Sequence, residues 1–182
     1  MPRFSCLPRW GLALLCASQA GCSIFTPLPL MELAKATGIA ASTVIAVGPS
    51  TAKNTVYHIH PTFNKVCIEY NPQSQAAEIL PAMQSELRTH QIESRIYAPG
   101  AGLNICEVWL HYAADIEWAI PPFTNEYKTY LSTATLTLRS ASGQVLSRSS
   151  YALDPIYGMG KWSSTRSKIA PVVTAIVTGF EN

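Results

Sequence analysis

From Val108 to Ile120 every even-numbered residue is apolar (Val108, Leu110, Tyr112, Ala114, Ile116, Trp118, Ile120), while the odd positions include His111, Asp115 and Glu117, with Glu107 just ahead of them. A period of two over that length excludes a helix and requires an extended strand with one buried and one wet face. Such a strand cannot stand alone, because its backbone needs paired neighbours and its apolar side needs a covering layer. Pro121-Pro122 ends it. The pattern resumes from Tyr130 to Leu138, with Tyr130, Ala134, Leu136 and Leu138 expected inward and Thr129, Thr133, Thr135 and Thr137 outward. Ser142-Gly143 then turns the chain into Val145 to Leu153, which completes an antiparallel meander.

The remaining elements are arranged around this meander. Lys65 to Tyr70 alternates as a strand and stops at Asn71-Pro72, and Glu93 to Ala98 forms a second short strand. Between them Ala76, Ile79, Leu80, Met83 and Leu87 recur at helical spacing, with Pro81 inside the pattern, so that the helix either kinks there or has an irregular first turn. A last helix is predicted from about Ser164 to Phe180 by Ile169, Val172, Val173, Ile176 and Val177. Ser163 or Ser164 can cap its start and Gly179 its end. The expected fold class is α+β. It consists of a mostly antiparallel sheet of about five strands with two helices on one face, in the order strand, helix, four strands, helix, over residues 63–182.

The N-terminus has a different character. Arg3 and Arg9 precede an apolar run from Trp10 to Ala17, and Ser18, Ala20 and Gly21 lead into Cys22, the three-part layout of a secretory signal peptide. Ala20-Gly21-Cys22 resembles the lipobox of bacterial lipoproteins, in which the cysteine is acylated and becomes the first mature residue. Gln19 stands where that pattern usually carries Leu, and cleavage after Ala20, releasing a soluble periplasmic form, is the competing reading. Ser23 resembles the outer-membrane sorting pattern. The expected organisation is a signal peptide over 1–21, a lipidated Cys22 with a tether and apolar segment over 22–62, and the folded domain after it.

Removal of the signal peptide takes two of the 13 basic residues, leaving 11 against 11 acidic ones. A near-neutral mature chain offers neither a nucleic-acid footprint nor a polybasic membrane patch. Of the five cysteines, Cys6 and Cys16 leave with the signal and Cys22 takes the lipid, so Cys67 and Cys106 remain. In an oxidising compartment such a pair is most simply a disulfide. A zinc site would need His58 and His60 beside them, and no metal or other cofactor is expected.

Cys67-Ile68-Glu69, Asn71-Pro72, Cys106 ahead of the Tyr- and Trp-bearing strand, and Lys168-Ile169 with Pro171-Val172 together resemble a family of small proteobacterial lipoproteins, which brings no established activity. More loosely, the order of elements is similar to lipoproteins that assist outer-membrane assembly or secretion, such as the lipopolysaccharide-assembly and curli secretion lipoproteins. That looser resemblance rests on architecture alone and transfers no function.

No catalytic set can be assembled, and the chain is not expected to be an enzyme. Gly158-Met159-Gly160-Lys161 lacks the first glycine and the Ser/Thr of a phosphate loop, since Pro155 and Trp162 hold those places. His111, Asp115 and Glu117 share a strand face, but successive same-face residues lie about 7 Å apart, too far for hydrogen-bonded catalysis. The aromatic residues suggest a surface instead. Trp109 and His111 are expected outward, and Tyr157 and Trp162 lie in the glycine loop, where Trp162 can alternatively plug the core. Trp109, His111, Tyr157 and Trp162 are therefore the candidate interface. The functional expectation is a lipid-anchored periplasmic module at the outer membrane that docks another envelope protein. The alternative is a periplasmic binding protein for a small amphipathic or glycan ligand.

Overall fold

The computed structural model describes residues 50–181 except 102, 156, 157 and 159, all within one compact unit, Ile39–Asn182. The signal peptide, Cys22 and the apolar segment after it lie outside the described residues. The chain runs β1 (Lys53–Tyr57), β2 (Lys65–Glu69), α1 (Ile79–Thr89), β3 (Glu93–Tyr97), a 3-10 turn (Leu103–Ile105), β4 (Val108–Ala119), β5 (Lys128–Ser140), β6 (Val145–Ala152) and α2 (Thr165–Thr178).

The strands form one six-stranded mixed sheet in the order β1-β6-β5-β4-β2-β3. This corrects the expected five-stranded, mostly antiparallel sheet in two respects. β2 is parallel to both β3 and β4, whereas β4, β5, β6 and β1 pair antiparallel. The cause lies in connectivity: a strand, a helix and a strand in succession form a crossover, which returns the chain in the same direction. The sixth strand, β1, comes from the stretch expected to be tether. Its pairing with β6 shifts register between Lys53 and Val56, where Asn54 takes a left-handed φ of 55°, so it carries no alternation to read.

Tertiary contacts hold β1 in place instead. Thr55 N–H donates to Glu181 Oε1 at 2.6 Å, Thr55 Oγ1 and Ser149 Oγ lie 2.9 Å apart, and Ser150 Oγ donates to the Lys53 carbonyl at 2.9 Å. Gly179 closes α2 in the left-handed region at φ 81°. A Cβ there would lie 3.0 Å from the Tyr57 ring, so the glycine serves both the turn and the approach of β1.

Both helices contribute to one core on a single sheet face. Val66 and Ile68 of β2, Leu110 and Tyr112 of β4, and Leu136 and Leu138 of β5 cluster with Ile79, Met83 and Leu87 of α1 and Ile169, Val172, Val173 and Ile176 of α2. Pro81 is the third residue of α1, where a helix has no use for the missing N–H. Ser164 caps α2 by accepting from Ser167 N–H. The fully buried Ser147 of β6 donates to the Ile176 carbonyl at 2.7 Å, supplying a partner near the helix C-terminus where carbonyls otherwise lack one.

Among the described residues the second face is covered at one corner. Cys67 and Trp109 are register partners on β2 and β4, 1% and 2% exposed, and the Tyr97 ring lies 5.7 Å from that of Trp109. The Cys67–Cys106 disulfide ties β2 to the segment entering β4. Trp109 does face away from the helices, but it is buried there, which removes it from the candidate interface. Three further inward expectations, Trp118, Ile120 and Tyr130, fail at the other end of β4 and β5. Ser132 is an extra residue between Asp115↔Thr133 and Ile116↔Leu131, so Leu131 rather than Tyr130 enters the core. Trp118, at 67% exposed, extends beyond the helical layer.

Candidate functional site

Two concavities and one projecting hairpin hold the surface features from which function can be argued. The larger concavity is a cleft of about 590 Å³ between the outer ends of β4 and β5, the entry to α1 and the start of α2. Trp118 lies at its rim and Tyr130, Lys161 and Trp162 line it, the rings of Tyr130 and Trp162 meeting edge to face at 5.5 Å. Lys161 Nζ sits 4.3 Å from the Tyr130 centroid and 5.5 Å from that of Trp162. Trp162, expected from sequence to be an interface residue or a core plug, is a half-buried wall of this cleft. Tyr157 lies outside the described residues.

Behind the cleft Lys168 is 1% exposed and donates to the carbonyls of Leu131 (2.9 Å) and Lys161 (2.7 Å). Burial, reinforced by the Lys161 charge, lowers its pKa to about 8. The unfolded chain therefore binds a proton between about pH 8 and 10.5 that the folded chain has lost, and stability rises with pH across that window. The slope is expected to approach about 1.4 kcal/mol per pH unit. Burial pushes Tyr151 up to about 12, so above pH 10 unfolded tyrosine ionises first and stability falls again. Urea unfolding at pH 7.5 to 11 should show a maximum near pH 10, and Lys168→Met should remove its rising limb.

The smaller concavity, about 370 Å³, lies on the opposite sheet face around His111. Sequence spacing separates His111 from Asp115 and Glu117, and the structure supplies a partner from another strand: His111 Nδ1 is 2.7 Å from Glu69 Oε2. Sequence reasoning misses this contact because nothing in the spacing places β2 beside β4. Burial lowers the His111 pKa, with the Arg139 charge adding to it, against the raising effect of the Glu69 carboxylate. A neutral ring donating to Glu69 follows. Among the described residues the lining holds no Ser, Thr or Cys, and the Tyr112 hydroxyl accepts from Asn71 N–H. Among the described residues no group of three metal-ligating side chains gathers, and no helix is long and apolar enough to cross a membrane.

The end of β4 and the turn into β5 expose four large apolar residues: Trp118 (67%), Ile120 (47%), Phe123 (81%) and Tyr127 (70%). Phe123 has a φ of 65°, a conformation that bulky residues rarely adopt.

Comparison with known proteins assigns no family, since no family model and no curated protein matches the chain. Among solved structures, a variant PelC dodecamer from Paraburkholderia phytofirmans is 20% identical with a TM-score of 0.46, covering 66% of this chain and 95% of that one. A second PelC dodecamer from the same organism gives 15%, 0.41, 65% and 98%. A likeness of this extent assigns neither activity nor partner to this chain.

Proposed function

We propose that the chain is an accessory module of the bacterial envelope, held on the periplasmic side of the outer membrane by an acylated Cys22 and docking another envelope protein through the β4–β5 turn. The observation that carries this reading is the concentration of exposed apolar side chains on that turn. Four large apolar residues within ten positions mark an interaction surface, whereas exposed apolar residues scattered singly need no explanation. A lipid anchor would raise the local concentration of such a surface without adding contacts.

The backbone of Phe123 supports the same reading. A left-handed phenylalanine costs about 1–2 kcal/mol, and an exposed ring returns little of it within the monomer. Phe123→Gly should stabilise the domain by about 0.5 kcal/mol while weakening partner capture. Thermal unfolding and affinity co-purification from solubilised membranes, run on the same variant, test both halves. A variant that captures partner as well as the wild type contradicts the docking role. Anchoring is tested separately by metabolic labelling with a palmitate analogue. Label is expected on the wild type and absent from Cys22→Ala, and an unlabelled wild type refutes the tether.

A further inference from the structure

The cleft of about 590 Å³ is not needed for docking through the β4–β5 turn, and its lining is chemically specific. Three aromatic side chains, Trp118, Tyr130 and Trp162, line it together with Lys128, Lys161 and Glu78. Such rings present flat faces to the apolar side of a ligand while the polar rim stays wet. The volume lies within the range of small-ligand sites.

Lys128, Lys161 and Lys168 outnumber the carboxylates Glu78 and Glu117 at this corner by one charge. Lys161 sits over two rings and pairs with no carboxylate among the described residues. Lys168 behind it has two carbonyls as hydrogen-bond partners. Two carboxylates lie here and keep their charge: Glu78, itself in the lining, accepts from Thr165 Oγ1 at 2.9 Å, and Glu117 accepts from the Tyr130 hydroxyl at 2.5 Å. The first turn of α2, which opens beside the cleft, contains no acidic residue to offset its positive end.

We infer that this cleft binds an acidic saccharide, with sugar C–H faces packed on Trp118 and Trp162 and a carboxylate or other anionic group beside Lys161. The mixed lining selects this ligand class. An acyl chain would require a continuous apolar wall, whereas here hydroxyl-bearing Thr129 and Thr165 alternate with the rings. A bare inorganic anion would leave the aromatic walls unused. The site shares Trp118 with the docking surface, but Lys161 and Trp162 belong to it alone and Phe123 to the turn alone, so Lys161→Met and Phe123→Gly test the two separately.

The test titrates the full-length chain in detergent with trigalacturonic acid, using maltotriose as the neutral sugar and inorganic phosphate as the bare anion. Tryptophan fluorescence reports binding through Trp118 and Trp162. Trigalacturonic acid should bind at least about tenfold more tightly than either comparator. Lys161→Met should weaken it about tenfold or more, added salt should weaken it further, and His111→Gln on the opposite face should leave it unchanged. Amide chemical-shift changes in the wild type should fall on residues 128–131 and 161–165, a readout that needs no variant to fold. Equal affinity for maltotriose or phosphate overturns the inference. So do insensitivity to Lys161→Met, shift changes elsewhere, or no binding at about 10 mM.

Discussion

Trp109→Ala is expected to lower the stability of the domain by about 3–5 kcal/mol, as large as any single truncation in the main core. Sequence parity predicts an outward-facing interface aromatic at this position, and its place on β4 does point it away from the helices. At 2% exposed, however, it is enclosed beside Cys67 and the Tyr97 ring. Removing the indole would empty a site bounded by two strands and a disulfide, and a cross-linked corner collapses poorly around a cavity. Denaturant midpoints distinguish the two placements. Trp118→Ala, at a position 67% exposed, should shift stability by no more than about 0.5 kcal/mol. Equal effects of the two substitutions would mean that Trp109 is not a core residue.

Loss of the Cys67–Cys106 disulfide should cost about 4 kcal/mol. The bridge joins residues 39 apart, and the loop it closes in the unfolded chain sets that scale through chain entropy. It also holds β2 to the entry of β4, where the paired register of these parallel strands spans only Cys67↔Trp109 and Ile68↔Leu110. The bridge therefore supports the junction at which the parallel and antiparallel halves of the sheet meet. Wild-type protein should lose this stability on reduction, whereas the Cys67→Ala/Cys106→Ala double variant should be equally weak with and without reductant. A wild type indifferent to reductant would contradict the assignment.

The two cases show what the chain makes legible. Patterns that depend on a residue's own element are readable: the alternation of β4 and the caps Ser164 and Gly179 of α2. Features that depend on which elements become neighbours are not. β1 has no alternation because Asn54 breaks its register, and it is held by Glu181, 126 residues beyond Thr55. The parallel pairing of β2 and β3 is implicit in a strand, helix, strand succession, yet a local reading of each strand passes over it. The Ser132 bulge reverses parity in β5 without a glycine or proline to signal it.

The candidate site is legible to a similar degree. Trp162 and His111 stand out in the sequence, but Tyr130, Lys161 and Trp118 come together with Trp162 only because the bulge, the long hairpin and the start of α2 converge. Glu69 reaches His111 across a strand pair joined through a crossover. Neither grouping has a sequence spacing that could have announced it.

The central claim is that the β4–β5 turn is a docking surface in the envelope. Its most direct measurement is site-specific photo-crosslinking in native membranes, with the photoreactive residue at Phe123 and, as a control, at the exposed Glu93 of the edge strand β3. The account predicts a discrete protein adduct from position 123 and none from 93. Adducts of equal yield from both positions, adducts to lipid alone, or no adduct at 123 would contradict it.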